Sequence, residues 1–338
     1  MRIQAAAVAA AIALASGFAH AQGTVNVICS AQIEWCQAMA TEFQKASGVK
    51  MAMVQKGSGE ALAQIAAEAA NPRTDVWFGG TGDPHLQAAE RGLTTEYTSA
   101  NLGQLHDWAR AQHKQSGGKT VGVYMGALGF GYNTEALAKR KVAAPACWSD
   151  LLKPEFKGEI QMANPASSGT AYTAIATLVQ VMGEEKAFEY LKALHRNISQ
   201  YTKSGTAPVK NVARGEATVS VSFIHDAVTE AVGGFPVKSS TPCEGTGYEI
   251  GSMSLVKGAK NLDAAKKFYD WALTAPAQEL GGATKQFQVP SNKAAKLNPL
   301  APDFSKIKLI NYDSAKYGAS AERKRLLDRW EKDVAAAK

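Results

Sequence analysis

Five short runs of small and hydroxylated residues stand out in this chain, because each follows an apolar stretch and precedes a helical one. They are Ser30-Ala31-Gln32, Gly57-Ser58-Gly59, Gly80-Thr81-Gly82, Ser167-Ser168-Gly169-Thr170 and Ser204-Gly205-Thr206. Glycine lets backbone approach a ligand closely, and serine or threonine supplies a hydroxyl while capping the following helix. Helix N-termini carry unpaired N–H groups and the positive end of a dipole, so several aimed at one cleft form an anion site. Ser30, Ser58, Thr81, Ser168, Gly169 and Thr170 are the candidate contacts there. A second set is His225, Asp226 and Glu249, at the end of one extended segment and on another. Two carboxylates and an imidazole suit either acid–base work or polar clamps on ligand hydroxyls. Taken alone, His225 also fits a hydrogen-bonded core histidine. Trp35 and Trp77 lie within a few residues of the elbows, where they could pack in the core or stack on a ligand.

Several chemistries are absent from the pattern. Neither glycine pair completes G-x-G-x-x-G, and there is no P-loop. No G-x-S-x-G or H-E-x-x-H supplies an activated nucleophile or a metal-bound water, so the chain reads as a binding protein and not an enzyme. Tyr172, Tyr201, Tyr248, Tyr312 and Tyr317 are all separated, with no adjacent pair to chelate iron. No cofactor and no resident metal are expected.

The elements that must position these residues repeat one unit, a strand, an elbow and a helix. Residues 25–29, 50–55 and 75–78 read as strands; Trp35, Met39 and Phe43 recur at helical spacing between the first two. A run of apolar residues and glycine spans 121–132. The alternation then restarts at 158–162, 198–201 and 217–224, with helices at 171–182 and around Phe188, Leu191 and Leu194. Residues 248–256 are extended again, 262–273 are helical, and 320–336 form a polar terminal helix. Repeated β-elbow-α units imply parallel sheets covered by helices, and ligands bind beyond the carboxyl ends of such strands. The economical arrangement is two α/β lobes joined by crossings near 121–132 and 248–256.

Residues 1–21 carry the marks of a secretory signal peptide: Arg2, the apolar stretch 5–15, and small residues at Ala19 and Ala21 before the expected cut. The 317 residues that remain exceed what one core usually serves, which also favours two lobes. Losing Arg2 lowers the formal charge from +7 to +6. That excess is spread out, with no basic stripe or module for nucleic acid. Four cysteines in an oxidising compartment favour disulfides. Cys147 with Cys243, both near a proline in loop sequence, is the expected bridge, and Cys29 with Cys36, flanking one turn, is the second.

Residues 74–84, 128–134, 163–170 and 213–217, taken in this order, resemble the ferric-type periplasmic solute-binding proteins of ABC importers. The resemblance spans essentially the whole chain after residue 21. It implies the type II periplasmic-binding fold, α/β, with mostly parallel central sheets and two hinge crossings. Lobe 1 would take residues 22–125 and lobe 2 residues 126–250, with 251–338 returning to lobe 1 and its last helix packing on the lobes. It further implies a monomeric periplasmic receptor, whose partners are a small anionic solute and an inner-membrane ABC permease. Iron-binding members carry two adjacent tyrosines near the end of the strand at 217–224, where this chain has His225-Asp226. The hexose-phosphate-binding branch looks similar, with a His-Asp pair and a downstream Glu on sugar hydroxyls matching His225, Asp226 and Glu249. Its phosphate sits on helix N-termini and hydroxyls, which carries over to Ser30, Ser168, Gly169 and Thr170. Ferric iron, and a phosphonate or thiamine phosphate, are the alternative ligands. N-terminal sequencing of the exported protein is expected to begin at Gln22; a start that retains Ala5–Ala15 would remove the signal-peptide reading.

Overall fold

Strand β1 (Thr24–Cys29) leads into helix α1 (Ile33–Ser47), whose Trp35, Cys36, Met39 and Phe43 fall on one face and are buried. The unit recurs as β2 (Lys50–Gln55) with α2 (Ser58–Ala67), and as β3 (Val76–Phe78) with α3 (Gly82–Glu90). β1 pairs parallel with both β2 and β3. Parallel neighbours need a crossover between them, so all three strands end, and their helices begin, on the same edge. β4 (Thr94–Thr95) and α4 (Asp107–Gln115) precede the long β5 (Val121–Asn133).

The second set runs through α5 (Thr134–Arg140), β6 (Ile160–Ala163), α6 (Gly169–Met182), α7 (Glu184–His195), β7 (Ile198–Thr202) and α8 (Ala207–Ala213). It continues with β8 (Val219–Phe223), α9 (Ile224–Val232) and β9 (Val237–Ser240). β6 is parallel to β7 and β8. β10 (Tyr248–Val256) returns antiparallel to β5. Then come α10 (Leu262–Ala272), α11 (Ala275–Ala283), β11 (Val289–Pro290), α12 (Ser314–Tyr317) and α13 (Ser320–Trp330). The computed structural model describes residues 23–337, so the expected signal peptide lies outside the described residues. None of its helices is long and apolar enough to cross a membrane.

The strand order is β2-β1-β3-β10-β5-β8-β6-β7, so two parallel sets flank an antiparallel pair. β5 is shared: Val121, Val123 and Tyr124 belong to one core, built around Phe43, Phe78 and Phe268, while Leu128 and Phe130 belong to another, around Trp148, Tyr172 and Phe188. These two cores are the two lobes. The final segment divides between them. Ala265, Phe268 and Leu273 pack in the first, whereas Tyr312, Tyr317, Leu326, Trp330 and Val334 pack in the second. Two local expectations change. The strand expected at 217–224 stops at Phe223, which places His225 and Asp226 in the first turn of α9. The terminal helix is less polar in its packing than in its composition, because Arg323 lies over the Tyr172 ring and donates to the Ala166 carbonyl.

Both disulfides are present, Cys29–Cys36 and Cys147–Cys243. The first ties the end of β1 to α1. The second closes a span of 96 residues in sequence against 7 for the first. Loop-closure entropy grows with that span, giving about 4–5 kcal/mol for the long loop and about 2–3 kcal/mol for the short one. Unreduced protein unfolded in denaturant should therefore show no reactive thiol. Cys147→Ala with Cys243→Ala should lower the melting temperature more than the same change at Cys29 and Cys36; the reverse order would contradict the entropic account.

Candidate functional site

All five elbows meet at one cleft between the lobes. The cavity there has a volume of ≈ 190 Å³ and is lined by all nine residues nominated from sequence: Ser30, Ser58, Thr81, Ser168, Gly169, Thr170, His225, Asp226 and Glu249. Six helices open on it, α1 after Gln32, α2 after Gly57, α3 after Thr81, α6 after Ser168, α8 after Thr206 and α9 after Phe223. The first N–H groups of an α-helix have no intrahelical acceptor, so each opening offers donors.

The hydroxyls around them are polarised the same way. Ser30 Oγ accepts from the Trp77 indole N–H at 2.9 Å, and Ser58 Oγ accepts from the Thr81 backbone N–H at 3.1 Å. Ser168 Oγ caps α6 by accepting from Ala171 N–H, and Tyr124 Oη accepts from Gly80 N–H at 2.8 Å. An N–H can only donate. Each of these oxygens therefore has an acceptor site filled, while its own proton is left to donate. Thr81 Oγ1 is buried with no protein partner. Lys56 and Lys203 also line this end, and Lys203 is shared with Glu60 at 2.7 Å. This wall of the cavity is a donor surface.

A second set of lining groups carries carboxyls and an imidazole. His225, Asp226 and Glu249 are all buried, with His225 Nε2 3.6 Å from Asp226 Oδ1 and 3.9 Å from Glu249 Oε1. These contacts are too long for hydrogen bonds and do not form an ion pair. Burial pushes the imidazole down to about 3, so His225 is neutral at physiological pH. Burial pushes Asp226 up to about 7, opposed by the hydrogen bond from Gln32. Glu249 is raised well above the usual carboxylate range by burial and by Asp226. The imidazole packs closely on β5, where a Cβ on Gly126 would stand 2.5 Å from His225 Cε1. A hydroxyl-bearing body would meet carboxyl acceptors and a neutral imidazole here.

Sequence reasoning missed Tyr124, Phe223 and Gln288, which also line the cavity. Tyr124 lay within a recognised crossing, and the side to which it points depends on strand pleat; Gln288 sits in a loop with no local signal. Trp35 and Trp77 are core residues. Trp77 stacks on buried His85 with ring centroids 3.6 Å apart, and Trp35 packs against Phe78 and Tyr124. Among the described residues, the one cluster with metal-ligand spacing is Cys147, Cys243 and Glu244, and its sulfurs are in a disulfide.

The lobes are closed on each other. Gln32 Nε2 donates to Asp226 Oδ1 at 2.6 Å, Gly59 N–H donates to the Ser167 carbonyl at 3.1 Å, and Thr229 Oγ1 donates to the Lys285 carbonyl at 2.8 Å. At Gly169 the fit is tightest, since a Cβ would overlap Thr81 Oγ1 from the other lobe. Gly169→Val should leave both lobes folded and hold them apart. Small-angle scattering should then give a larger radius with an unchanged far-ultraviolet spectrum; a radius equal to wild type would show that the contact does not limit closure.

Residues 79–317 match the family of bacterial extracellular solute-binding proteins. An uncharacterized protein of Haemophilus influenzae is 48% identical, over 100% of this chain and 98% of that one. The structure of the periplasmic binding protein AfuA from Actinobacillus pleuropneumoniae, with exogenous fructose-6-phosphate bound, superposes with a TM-score of 0.90 at 47% identity, covering 94% of this chain and 100% of AfuA. The periplasmic binding protein P5PA gives 0.89 at 43%, covering 92% and 99%. With that family match, a closed two-lobed fold and a polar cavity between the lobes, the chain belongs to the bacterial extracellular solute-binding protein family.

Proposed function

We propose that this solute-binding protein is the periplasmic receptor of an ABC importer and that it carries a phosphorylated sugar of about hexose size. The observation that carries the reading is a cavity lining that combines donor-oriented hydroxyls and helix N-termini with buried carboxyls and a neutral imidazole. Ser30, Ser58 and Tyr124 hydroxyls with filled acceptor sites line it together with helix N-termini and the unpartnered Thr81 Oγ1, and buried Asp226, Glu249 and neutral His225 line it as well. A phosphate is all acceptor and suits the first set. A polyol can donate every hydroxyl proton and suits the second. The fructose-6-phosphate held by AfuA, on a superposable chain, supports the same assignment.

Ferric iron fits the site poorly. Tyr124 is the tyrosine lining the cavity, and burial with Glu249 nearby holds its phenol well above the ordinary range, so it keeps its proton. Hydrolysis of the ester is also disfavoured. The cavity serines accept from N–H groups, and none of them is hydrogen-bonded to a histidine that could take its proton. The protein therefore acts by binding, closing and handing on its solute.

Calorimetric titration should show fructose 6-phosphate binding tightly and free fructose binding far more weakly. Ser168→Ala should cost roughly 1–3 kcal/mol, since backbone amides continue to hold the anion. Asp226→Ala and Glu249→Ala should each cost at least as much, because they leave buried ligand hydroxyls unpaired. A 2-aminoethylphosphonate, a thiamine phosphate and a ferric salt complete the panel. Tighter binding of any of these, or equal binding of fructose, would replace the sugar-phosphate reading.

A further inference from the structure

The groups that line the cavity come from both lobes, and one buried side-chain hydrogen bond joins the lobes at Asp226. Gln32 stands at the entrance of α1 in lobe 1, and Asp226 in the first turn of α9 in lobe 2. Their contact at 2.6 Å is buried at both ends. The other cross-lobe contacts differ in kind. Gly59 with Ser167 is a backbone pair, Lys203 with Glu60 is exposed, and Thr229 with Lys285 ends on a carbonyl. Tyr312 with Asp83 is buried but lies outside the cavity lining.

The amide of Gln32 is held in one orientation from its far side. Gln288 Nε2 donates to Gln32 Oε1 at 3.3 Å, which leaves Gln32 Nε2 as the group facing Asp226. Gln288 Oε1 is itself buried with no protein partner. Gln32, Thr206 and Asp226 also line a second cavity of ≈ 220 Å³, so the Gln32–Asp226 bond stands as the wall between two spaces. Gln32 precedes α1 without capping it, because its side chain accepts no hydrogen bond from the helix. Its amide is thus free of any local structural duty.

We propose that Gln32 is the positioning residue that ties lobe closure to recognition of the ligand's hydroxylated end, by holding Asp226 as a hydrogen-bond acceptor once the lobes meet. This rests on the sugar-phosphate reading for the identity of the ligand, but not for the closure itself. Asp226 is faced by His225 and Glu230 of its own helix, Lys210 of α8, Glu249 of β10 and Tyr124 of β5. Glu34 of α1 and Lys285 line the second cavity beside it. Within that surrounding, a donor at position 32 keeps the closed pair favourable across neutral pH. A carboxylate there would oppose Asp226 except where the two share a proton.

Two variants and two readouts test this. Gln32→Ala should weaken fructose 6-phosphate binding by about tenfold or more, the usual loss for a hydrogen bond to a charged group, with unchanged helicity. Gln32→Glu should bind nearly as well as wild type at about pH 5.5 and progressively worse toward about pH 8. The ratio of its dissociation constant to that of wild type should rise about tenfold, the change that a pKa displacement of about one unit gives. The second readout needs no ligand. Spin labels at exposed Gln44 of α1 and Lys192 of α7 should report a longer distance in Gln32→Glu at about pH 8 than at about pH 5.5, with no such change in wild type. Failure of wild type to bind fructose 6-phosphate would overturn the proposed ligand, while the label distances would still decide the role of Gln32. A pH-independent distance in Gln32→Glu, or unaltered affinity in Gln32→Ala, would overturn the inference.

Discussion

Closing two lobes over a cleft takes polar groups out of water, and the protein itself does not satisfy all of them. Thr81 Oγ1, His225 Nδ1 and Gln288 Oε1 are buried without a protein partner. Asp226 and Glu249 are driven toward their neutral forms by the same burial. An unpaired buried group costs about 1–3 kcal/mol, so a solute that supplies the missing partners adds to the stability of the closed form. That constraint links binding to shape. A solute that satisfies both sets stabilises closure, and one that satisfies a single set leaves the penalty of the other in place. β5 and β10 make the coupling mechanically simple, since the same two strands continue from one core into the next.

The donor wall shows how polarity is imposed on groups that have none of their own. A serine hydroxyl can donate or accept, and nothing in the residue type decides which. Here the decision is made one layer further out. Trp77, packed against His85, aims its indole N–H at Ser30, while the turn after β3 aims the N–H of Thr81 at Ser58 and that of Gly80 at Tyr124. Removing such an outer donor would leave the hydroxyl in place and release its orientation. The Trp77 indole thus reaches the site through Ser30 without touching the cavity.

The parts of the site that were legible in sequence are the ones whose logic is local. A glycine or hydroxyl residue after a short apolar run announces a strand turning into a helix, and the parallel topology then gathers those turns on one edge. His225-Asp226 was legible as a polar pair after an apolar strand, though the chain turns helical one residue earlier than the apolar pattern indicates, at Ile224. Tyr124 was not legible because β5 is buried along nearly all its length and shows no alternation to say which face a side chain takes. Gln288 meets Gln32 across 256 residues of sequence, from a loop whose own composition is unremarked. The terminal helix misled for a related reason. Arg323 reads as a surface charge, yet its guanidinium finds an aromatic face and backbone carbonyls that only the folded second lobe brings together.

Rigidity and freedom are distributed to match. Cys29–Cys36 fixes the elbow that carries Ser30 to the helix that follows it, and Cys147–Cys243 pins the approach to β10 against the start of the second lobe's long excursion. Each half of the site is therefore held on covalently or densely packed elements. Between the lobes the bonds are few and of a different character. The Lys203–Glu60 pair is exposed and worth at most about 1 kcal/mol in water, and the Gly59–Ser167 contact exchanges freely with solvent when the cleft opens. Two buried side-chain bonds cross the divide, Tyr312 to Asp83 away from the cavity and Gln32 to Asp226 at it. Under the role proposed for Gln32, a receptor that must release its solute benefits from this arrangement, because loosening that contact would both open the lobes and weaken the grip on the ligand.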